Sequence, residues 1–331
     1  MIGLSIIIVN WNTKDHLLRC LQSAFRYQKD LSWEVIIVDN GSEDGSSQAI
    51  KELFPMVHLI SNPVNLGFAK AANQGMKDAS GRYLLLLNPD TELKEGSLER
   101  LVAFMEKHSD AGIAGGQLLN SDGSRQNSIA NFPSLATELL NKSLLRRLYP
   151  AKFPGKERNY PRPLEVDSVI GACMIVRGEA LEQVGPLDED YFLFLEETDW
   201  CYRMRKAGWK VYYVPEAQIT HFQGKGVQNR KKEAKLEYYR SRYQFFRKNR
   251  GRLQWFFLVA GLLLRLTVEI CSMAFGCVIT LGLVRGWRRR LSIYAYLMAW
   301  HLGFFPAGMG LRRSQLKGKP CCKFQVPGKQ V

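Results

Sequence analysis

Three carboxylates crowd one short stretch of this sequence, in the order Glu196, Glu197 and Asp199. They follow the apolar run FLFL, so mutual repulsion and partial burial both act to raise their pKa values. A carboxylate with a raised pKa can serve as a general base near neutral pH. The alternative is a solvated helix N-terminus, where the helix dipole favours acids. The preceding aromatic run favours the functional interpretation.

Two further acids stand where apolar runs end. Asp39, in VDNGSEDGS, can accept hydrogen bonds from a base or a ribose, although the same residues also form a helix-capping turn. Asp90, in Asn88-Pro89-Asp90, projects beyond a run that the proline ends, and a carboxylate there can hold a divalent cation against a diphosphate. A plain turn is again the alternative. His221 follows another apolar run. A lone histidine is more often structural than a ligand, so His221 is a candidate metal ligand only if it lies beside these acids.

The first 110 residues alternate apolar runs with helical patterns. We predict strands over Leu4–Val9, Glu34–Val38, Val57–Ile60 and Tyr83–Leu87, and helices over Lys14–Tyr27, Gln48–Phe54, Phe68–Asp78 and Leu98–Lys107. This alternation indicates a parallel sheet covered on both faces, with ligands bound at the carboxyl ends of its strands. No GxGxxG follows the first strand and no GxxxxGK[ST] occurs, which argues against dinucleotide and P-loop sites.

The next hundred residues are less regular. Asn120–Val166 predicts loops with one short helix at Leu135–Leu148. The remaining elements predicted here are a single strand at Asp167–Val176, an aromatic segment passing into a helix at Tyr191–Lys206, and a strand at Val211–Val214 with His221 just beyond it.

Five stretches stand in a fixed order between Leu4 and His221: SIIIVNWN, EVIIVDNGSEDGS, NLGFAKAANQG, YLLLLNPDTEL and VIGACMIVRGEALEQVGPLDEDYFLFLEETDWCYRMRKAGWKVYYVPEAQITH. Taken together they resemble the family 2 inverting glycosyltransferases of the GT-A fold, especially the bacterial rhamnosyltransferase-like branch. The resemblance implies a Rossmann-like, mixed and mostly parallel sheet flanked by helices. It also implies sugar transfer from a nucleotide-diphosphate donor, in which dTDP-rhamnose is favoured.

The resemblance assigns roles by position. Glu197, the second acid of the ED pair, would be the catalytic base, with Glu196 and Asp199 as the other candidates. Asp90 would hold Mg²⁺ or Mn²⁺, and His221 would complete the metal site. The nucleotide-sugar would be bound by Asn10, Trp11, Asp39, Asn65, Gly67, Lys70, Asn73 and Asn88. Of these, Asn65 and Gly67 stand at a predicted helix N-terminus, which suits phosphate.

Two residues depart from the family pattern. Asn88 replaces the first Asp of the DXD motif, which weakens the case for tight metal binding. Glu197 replaces the more usual Asp, and the extra methylene changes reach without changing chemistry. The implied mechanism is a single in-line displacement, in which Glu197 takes a proton from an acceptor hydroxyl and that oxygen attacks the anomeric carbon opposite the diphosphate.

Basic character is confined to the C-terminal third. Residues 1–224 contain 24 basic and 28 acidic residues, whereas residues 225–331 contain 22 and 3, giving +15 for the chain. Such a block attracts anionic lipid surfaces or nucleic acid. No helix-turn-helix, RRM or KH signature appears, and an apolar tract follows directly. Membrane binding explains both features, so we predict no nucleic-acid partner.

The apolar tract Leu253–Val284 is long enough to cross a bilayer. Arg265 and Glu269 interrupt it, stand four residues apart and could pair; Thr267–Val284 is a shorter possible span. The stretches on either side are both basic, so two interfacial helices or a hairpin satisfy the positive-inside rule better than one crossing. A soluble helical subdomain or an oligomer interface is the alternative.

These observations divide the chain into four parts. Residues 1–115 and 116–224 form the nucleotide-sugar-binding half and the acceptor-binding, catalytic half of a GT-A domain; 225–252 form a basic linker helix, and 253–331 a membrane-associated helical region and tail. The predicted partners are a dTDP- or UDP-sugar donor, a glycan or lipid-linked acceptor and a membrane surface. Seven cysteines without a CxxC pair indicate a reducing compartment, hence the cytoplasmic face of the cell membrane.

Two rival functions are weaker. A nucleotidyltransferase on a related sheet would carry a Gly-rich basic loop after the first strand, where this sequence reads NWNTKDHL. A nucleotide-sugar-binding scaffold without catalysis would lack an acid at Asp90 or Glu197, and both are present.

Overall fold

The β-branched run near the N-terminus forms the middle of a nine-stranded sheet in the computed structural model, which describes residues 3–27, 31–155, 160–223 and 230–311. Strand β1 (Leu4–Asn10) pairs in parallel with β2 (Trp33–Asp39) and β4 (Tyr83–Leu87), and β3 (His58–Ser61) extends β2. Every residue of β1 is buried. Burial on both faces explains why this strand reads as a continuous apolar run without alternation.

Helices cover both faces of the sheet. One face is packed by α1 (Lys14–Arg26), α2 (Ser46–Leu53) and α4 (Ser97–Lys107). The other is packed by α3 (Phe68–Asp78), α7 (Gly178–Val184) and α8 (Glu196–Lys206). The predicted two-sided covering is therefore confirmed.

An antiparallel strand is inserted in the middle of the sheet. Strand β10 (Cys173–Arg177) lies between β4 and β6 (Ala111–Leu119), and β11 (Lys210–His221) runs parallel to β6. The short strands β5 (Thr91–Leu93) and β8 (Leu164–Glu165) pair antiparallel with β11. Six of the nine strands share one direction, so the predicted mixed, mostly parallel sheet is confirmed. Strand β6 runs through the expected division at residues 115 and 116, so one sheet serves both halves.

Strand β6 was not predicted, because its sequence AGIAGGQLL contains few of the branched apolar residues that indicate a strand. Its glycines allow close packing of neighbouring elements. A Cβ on Gly115 would lie 2.7 Å from Val169 Cβ, and one on Gly116 would lie 2.4 Å from the Ala217 carbonyl oxygen. Small residues are therefore required here for steric reasons, and they remove the apolar signal that identifies a strand.

Three predicted elements have different bounds. The single strand expected at Asp167–Val176 is divided by a turn at residues 170–172 into β10 and β9 (Ser168–Val169), which pairs with β7 (Ile129–Ala130). The strand expected to end at Val214 continues through a bulge, so His221 is its last residue and does not lie beyond it.

The helix expected over Leu135–Leu148 is two helices, α5 (Leu135–Leu139) and α6 (Lys142–Leu148). The break occurs because the Asn141 side chain accepts hydrogen bonds from Ser143 N and Leu144 N, which starts α6 anew.

Three helices follow the sheet domain. Helix α9 (Lys231–Asn249) is separated by Gly251, at φ +85°, from α10 (Arg252–Ile279), and α11 (Arg285–Leu302) packs back onto both. Asn229, where the basic stretch was expected to begin, and the tail 312–331 lie outside the described residues. Arg265 and Glu269 do not form the expected ion pair; Arg265 lines a cleft instead.

A buried arginine joins the sheet to the end of α4. Arg177 is 4% exposed, and its guanidinium donates to the carbonyl oxygens of Met105 at 2.6 Å, Ala111 at 2.9 Å and His108 at 2.9 Å. These carbonyls lie at or just beyond the C-terminal end of the helix, where helical partners are missing.

We predict that Arg177→Met lowers the free energy of unfolding by about 2–4 kcal/mol, because it leaves buried carbonyl groups without donors. Urea denaturation measures the change. Arg82→Met is the matched control, since that exposed side chain only pairs with Glu106 and lies over the Tyr83 ring in the described part of the chain, and the change should cost less than about 1 kcal/mol. Equal losses in the two variants would contradict the assigned role of Arg177.

Candidate active site

The carboxyl ends of β1 and β2 are tied together by side chains. Asn10 Nδ2 donates to Asp39 Oδ1 at 2.8 Å, and Thr13 Oγ1 donates to Asn10 Oδ1 at 2.7 Å. Ser47 Oγ donates to Asp39 Oδ2 at 2.8 Å. Asp39 does not cap α2, because it accepts from the Ser47 hydroxyl and that helix begins at Gly45 without a side-chain cap. A nucleotide contact stays a prediction. Trp11, next in the chain, is half-buried with the Arg230 guanidinium 5.0 Å from its ring centre.

Asn40, which the sequence analysis did not single out, orders the next loop. Its Nδ2 donates to Asn65 Oδ1 at 3.0 Å, and its Oδ1 accepts from Leu66 N at 3.0 Å. Asn65 Oδ1 also accepts from Gly67 N at 2.9 Å. The only available signal was its position directly after Asp39 at a strand end.

The start of α3 is occupied by another part of the chain. Gly67 has φ +89°, and a Cβ there would lie 2.7 Å from Phe192 Cδ2. Phe68 N donates to the Phe192 carbonyl oxygen at 2.7 Å. This N–H group therefore already donates a hydrogen bond within the protein, so one fewer N–H group at the start of α3 can bind a phosphate.

Two further residues expected at the nucleotide-sugar site, Asn73 and Lys70, differ in their surroundings. Asn73 Nδ2 donates to the Leu187 carbonyl oxygen at 2.9 Å, and its Oδ1 accepts from Leu187 N at 3.1 Å. Asn73 thus joins α3 to the segment before the acidic cluster. Lys70 is exposed on the same helix.

The two predicted metal ligands are brought together by strand pairing. Thr91 of β5 lies opposite His221 of β11, and Phe222 N donates to the Asp90 carbonyl oxygen at 2.9 Å. His221 Nε2 is consequently 3.4 Å from Asp90 Oδ1, and each residue is 7% exposed. The half-buried Asn88 begins the same turn, and its carbonyl oxygen accepts from Thr91 Oγ1 at 2.7 Å.

Gln126 fixes the tautomer of His221. Gln126 Nε2 donates to the His221 carbonyl oxygen at 2.5 Å, which turns its Oε1 towards His221 Nδ1 at 3.0 Å. Because Oε1 can only accept, Nδ1 carries the proton, and in the neutral ring Nε2 presents a lone pair to Asp90. Two acceptors facing each other need a cation or a proton between them.

A divalent cation fits this pair. Neighbouring ligands of an octahedral ion at about 2.1 Å lie about 3 Å apart, close to the observed separation. A histidine ligand also commonly donates its other ring N–H to an oxygen, as Nδ1 does here. No group of three His, Cys, Asp or Glu side chains gathers in the described ranges. A bound cation would therefore take its other ligands from a diphosphate and water.

Glu197 lies beside this turn. A Cβ on Gly171 would be 3.3 Å from Glu197 Cβ and 3.4 Å from its Cγ, so the side chain lies against a residue that must be small. The neighbouring Ala172 carbonyl oxygen accepts from Asn88 N at 2.9 Å. The candidate base and the candidate metal site therefore adjoin through β10 and β4.

The two glutamates differ in their surroundings. Burial, followed by the charge of Glu197, raises the pKa of Glu196 well above its usual range, and Glu196 Oε2 has no hydrogen-bond partner among the described residues. Burial also raises the pKa of Glu197, but backbone N–H groups at the start of α8 and the Thr198 hydroxyl oppose that shift. Of the two coupled carboxyls, Glu197 is therefore the one that ionises more readily.

The third acid of the cluster has structural partners. Asp199 accepts from Arg203 Nε at 2.9 Å, from Asn249 Nδ2 at 2.8 Å and from the Tyr191 hydroxyl at 3.3 Å. It is 2% exposed. These bonds hold the end of α9 against α8 and leave Asp199 as the least suitable of the three candidate bases.

A strained turn precedes the acids. Phe194 and Leu195 have φ values of +71° and +65°, a region that costs bulky residues about 1–2 kcal/mol each. Leu195 is the N-cap of α8, and Asp199 N donates to its carbonyl oxygen at 2.8 Å. The turn thus sets the direction in which Glu196 and Glu197 leave the helix.

Comparison with known proteins gives consistent matches. Residues 5–185 match the family model for glycosyl transferase family 2. The N-acetylglucosaminyl-diphospho-decaprenol L-rhamnosyltransferase of Mycobacterium tuberculosis is 31% identical over 66% of this chain and 75% of that protein. The dTDP-rhamnosyl transferase RfbF of Shigella flexneri is 26% identical over 65% and 67%.

The fold comparison covers more of the chain. The mannosyltransferase PcManGT from Pyrobaculum calidifontis, solved with GDP-Man and Mn²⁺, aligns over 90% of this chain and 86% of that chain with a TM-score of 0.55. At 14% identity the likeness concerns the fold alone, and it confirms the GT-A arrangement expected from the sequence.

We predict that Gln126→Ala weakens Mn²⁺ binding about 10- to 100-fold, because His221 loses the partner that fixes its ring and tautomer. Electron paramagnetic resonance of free Mn²⁺, titrated with protein and a nucleoside diphosphate, measures the affinity. Gln183→Ala is the control, since that exposed side chain bonds only Trp209 in the described part of the chain. Unchanged affinity in Gln126→Ala would remove His221 from the metal site.

Proposed function

This chain belongs to glycosyl transferase family 2 and is a glycosyltransferase, and we propose that it moves rhamnose from dTDP-rhamnose to a hydroxyl of a lipid-linked glycan, with inversion. The position of Glu197 carries the proposal: a half-buried carboxylate lying against Gly171, beside the turn that holds Asp90. A general base and a site for a leaving diphosphate are thereby adjacent.

The relatives support the choice of donor and acceptor. RfbF is described as a dTDP-rhamnosyl transferase, and the mycobacterial relative as acting on an N-acetylglucosaminyl-diphospho-decaprenol. We infer the same classes for this chain. The nucleotide would lie at the carboxyl ends of β1 and β2, near Asn10, Trp11 and Asp39, in keeping with the ligand position general to open α/β sheets.

Glu197 acts first on the acceptor. Its ionised carboxylate takes the proton of the acceptor hydroxyl while that oxygen forms a bond to the anomeric carbon. The bond from this carbon to the diphosphate oxygen breaks on the opposite face, which inverts the centre. The N–H groups at the start of α8 hold the Glu197 carboxylate in place, and Glu196, whose pKa burial raises well above its usual range, ionises less readily than Glu197.

Asp90 and His221 would hold the divalent cation, with Gln126 orienting the imidazole. When bound, such a cation supplies positive charge to the leaving diphosphate. Because Asn88 stands in place of the first Asp of the DXD motif, Asp90 is the one carboxylate at the predicted metal site. The affinity of the protein alone for Mg²⁺ or Mn²⁺ should therefore be modest, and it should increase when the nucleoside diphosphate is present.

The C-terminal helices would attach the enzyme to a membrane. Helix α10 has the length and composition of a membrane-crossing helix, and most of its apolar window is exposed. Large apolar side chains are exposed where α10 turns into α11. They include Phe275, Val278, Ile279, Leu281 and Leu283, each at least 65% exposed. Arg285, Arg288, Arg289 and Arg290 follow at once. An apolar tip beside arginines suits insertion into an anionic interface from one side.

We predict that Glu197→Gln lowers the transfer rate about 10²- to 10⁴-fold while nucleotide binding is kept, because the amide cannot accept a proton. Release of dTDP from dTDP-rhamnose with a lipid-linked acceptor measures transfer, and UDP- and GDP-sugars test donor choice. Glu182→Gln, an exposed change on α7, is the matched control. If Glu196→Gln abolished transfer and Glu197→Gln did not, the base would be Glu196.

The pKa of Glu197 determines the acid limb of the pH profile. Its pKa is raised above the ordinary 4.5, and the base must be ionised to act. We therefore expect kcat/KM to fall as pH decreases, with a midpoint above 4.5, and the limb to disappear in the residual activity of Glu197→Gln. Circular dichroism at each pH checks that the fold persists. A profile flat down to pH 4.5 would contradict the raised pKa.

A further inference from the structure

A polar cleft of about 570 Å³ lies between the short helices α5 and α6 and the C-terminal helices α9 and α10. We call it the cationic cleft; the charged side chains that line it are Glu138, Lys142, Arg242 and Arg265. Nothing in the mechanism above uses these residues.

The charges of the cationic cleft are unbalanced. Glu138 Oε2 accepts from Arg242 Nη1 at 2.9 Å, and Lys142 Nζ is 3.7 Å from Glu138 Oε1. One carboxylate thus faces three cations. Burial, followed by the charges of Arg242 and Arg265, lowers the pKa of nearby Lys235. An anion in the cleft would relieve this repulsion.

Arg242 is built into the cleft rather than lying on its surface. It is 7% exposed, and its Nε has no hydrogen-bond partner among the residues that the structure describes. That atom is out of reach of solvent, so a ligand in the cleft would be met by the terminal nitrogens of the guanidinium. Oxygen atoms of phosphate are the acceptors that a guanidinium prefers.

The cationic cleft continues towards the candidate base. A second cleft of about 130 Å³, which we call the inner cleft, shares Glu138, Lys142 and Tyr238 with it and extends to Leu195 and Thr198. Those last two residues flank the acid pair in the sequence.

Tyr238 lies between the two ends. Burial, followed by the charge of Glu138 and with a further contribution from Glu197, raises its pKa to about 12. Asn127 also lines the inner cleft, and its Oδ1 accepts no hydrogen bond in the described part of the chain.

The outer rim of the cationic cleft is apolar. Leu140, Leu144 and Leu264 are 56%, 54% and 68% exposed. Leu144 lies on α6 with Lys142, and Leu264 precedes Arg265 on α10, the helix proposed above to meet the membrane, whereas Leu140 directly follows α5. The order proposed along the surface is therefore base, inner cleft, cations and exposed leucines.

We propose that the cationic cleft binds the phosphate or diphosphate of a lipid-linked acceptor, with the acceptor sugar in the inner cleft and the lipid chain along the apolar rim. The inference rests on the proposed function, since it locates the acceptor of that reaction. Arg242 and Arg265 donate to the phosphate oxygens, and Lys142 adds charge at the entrance.

Binding of the full-length protein to phosphatidylcholine vesicles that contain a polyprenyl diphosphate tests the proposal. We expect Lys142→Gln with Arg265→Gln to weaken binding roughly tenfold for each cation removed, because each loses a charge-assisted hydrogen bond. Inorganic pyrophosphate should compete in the unmodified protein. Lys51→Gln with Lys107→Gln is the matched control, since it removes the same charge from exposed positions on α2 and α4, away from the cleft and from the apolar tip, and should leave this binding within about twofold.

Vesicles of phosphatidylglycerol with the same total charge test whether the protein recognises the diphosphate or binds any anionic lipid surface. If they bind as well as the diphosphate vesicles, or if both double variants lose binding equally, the cleft is only part of a basic membrane face and the proposal is wrong. Assays of sugar transfer then distinguish a failure of the proposed function from a failure of the cleft proposal. Specific diphosphate binding without nucleotide release would contradict the proposed function alone, whereas normal transfer with an unchanged KM for the lipid acceptor in Lys142→Gln/Arg265→Gln would contradict the cleft alone.

Discussion

The segment from Tyr191 to Asp199 constrains the rest of the site because two separate helices, α3 and α9, are bonded to it at three points. The Phe192 carbonyl oxygen accepts from the first N–H group of α3, the Leu193 carbonyl oxygen accepts from Ser241 of α9 at 2.9 Å, and Asp199 accepts from the end of α9. Two successive left-handed residues can persist only where surrounding contacts determine them. The donor half, the acids and the C-terminal helices are therefore fixed in relation to one another by a turn whose strain they jointly offset.

The elements predicted most reliably are those of the parallel part of the sheet, whose strands are buried on both faces. Strands β1 to β4 and the helices between them follow from continuous apolar runs and helical spacing, with bounds within two residues. Strand β6 does not, because contact with Val169 and Ala217 demands glycine where an apolar side chain would have signalled a strand. The division of Leu135–Leu148 depends on a single capping asparagine, which only the hydrogen bonds of Asn141 reveal.

The site was predictable where one side chain suffices and unpredictable where a pair is needed. Asp90 and His221 were found as separate candidates, but their 3.4 Å separation depends on the β5–β11 pairing, since 131 residues separate them in the chain. Gln126 and Asn40 carry no motif, because an amide becomes an orienting group only through what it faces. The difference between Glu196 and Glu197 is likewise invisible in the sequence: it arises from which carboxylate reaches the N–H groups that begin α8.

The uneven charge of the chain acquires a physical meaning from this arrangement. The sheet domain must keep two acids buried beside an anionic donor, so any cations that stabilise the phosphates have to be supplied locally. The helices that follow concentrate basic residues where the acceptor and a lipid surface would meet. Arg242 belongs to both systems, since it is paired with Glu138 of α5 and lines the cleft that α5 and α6 form with the C-terminal helices. A single buried guanidinium thus couples the packing of the C-terminal helices to the charge of the path that leads to Glu197.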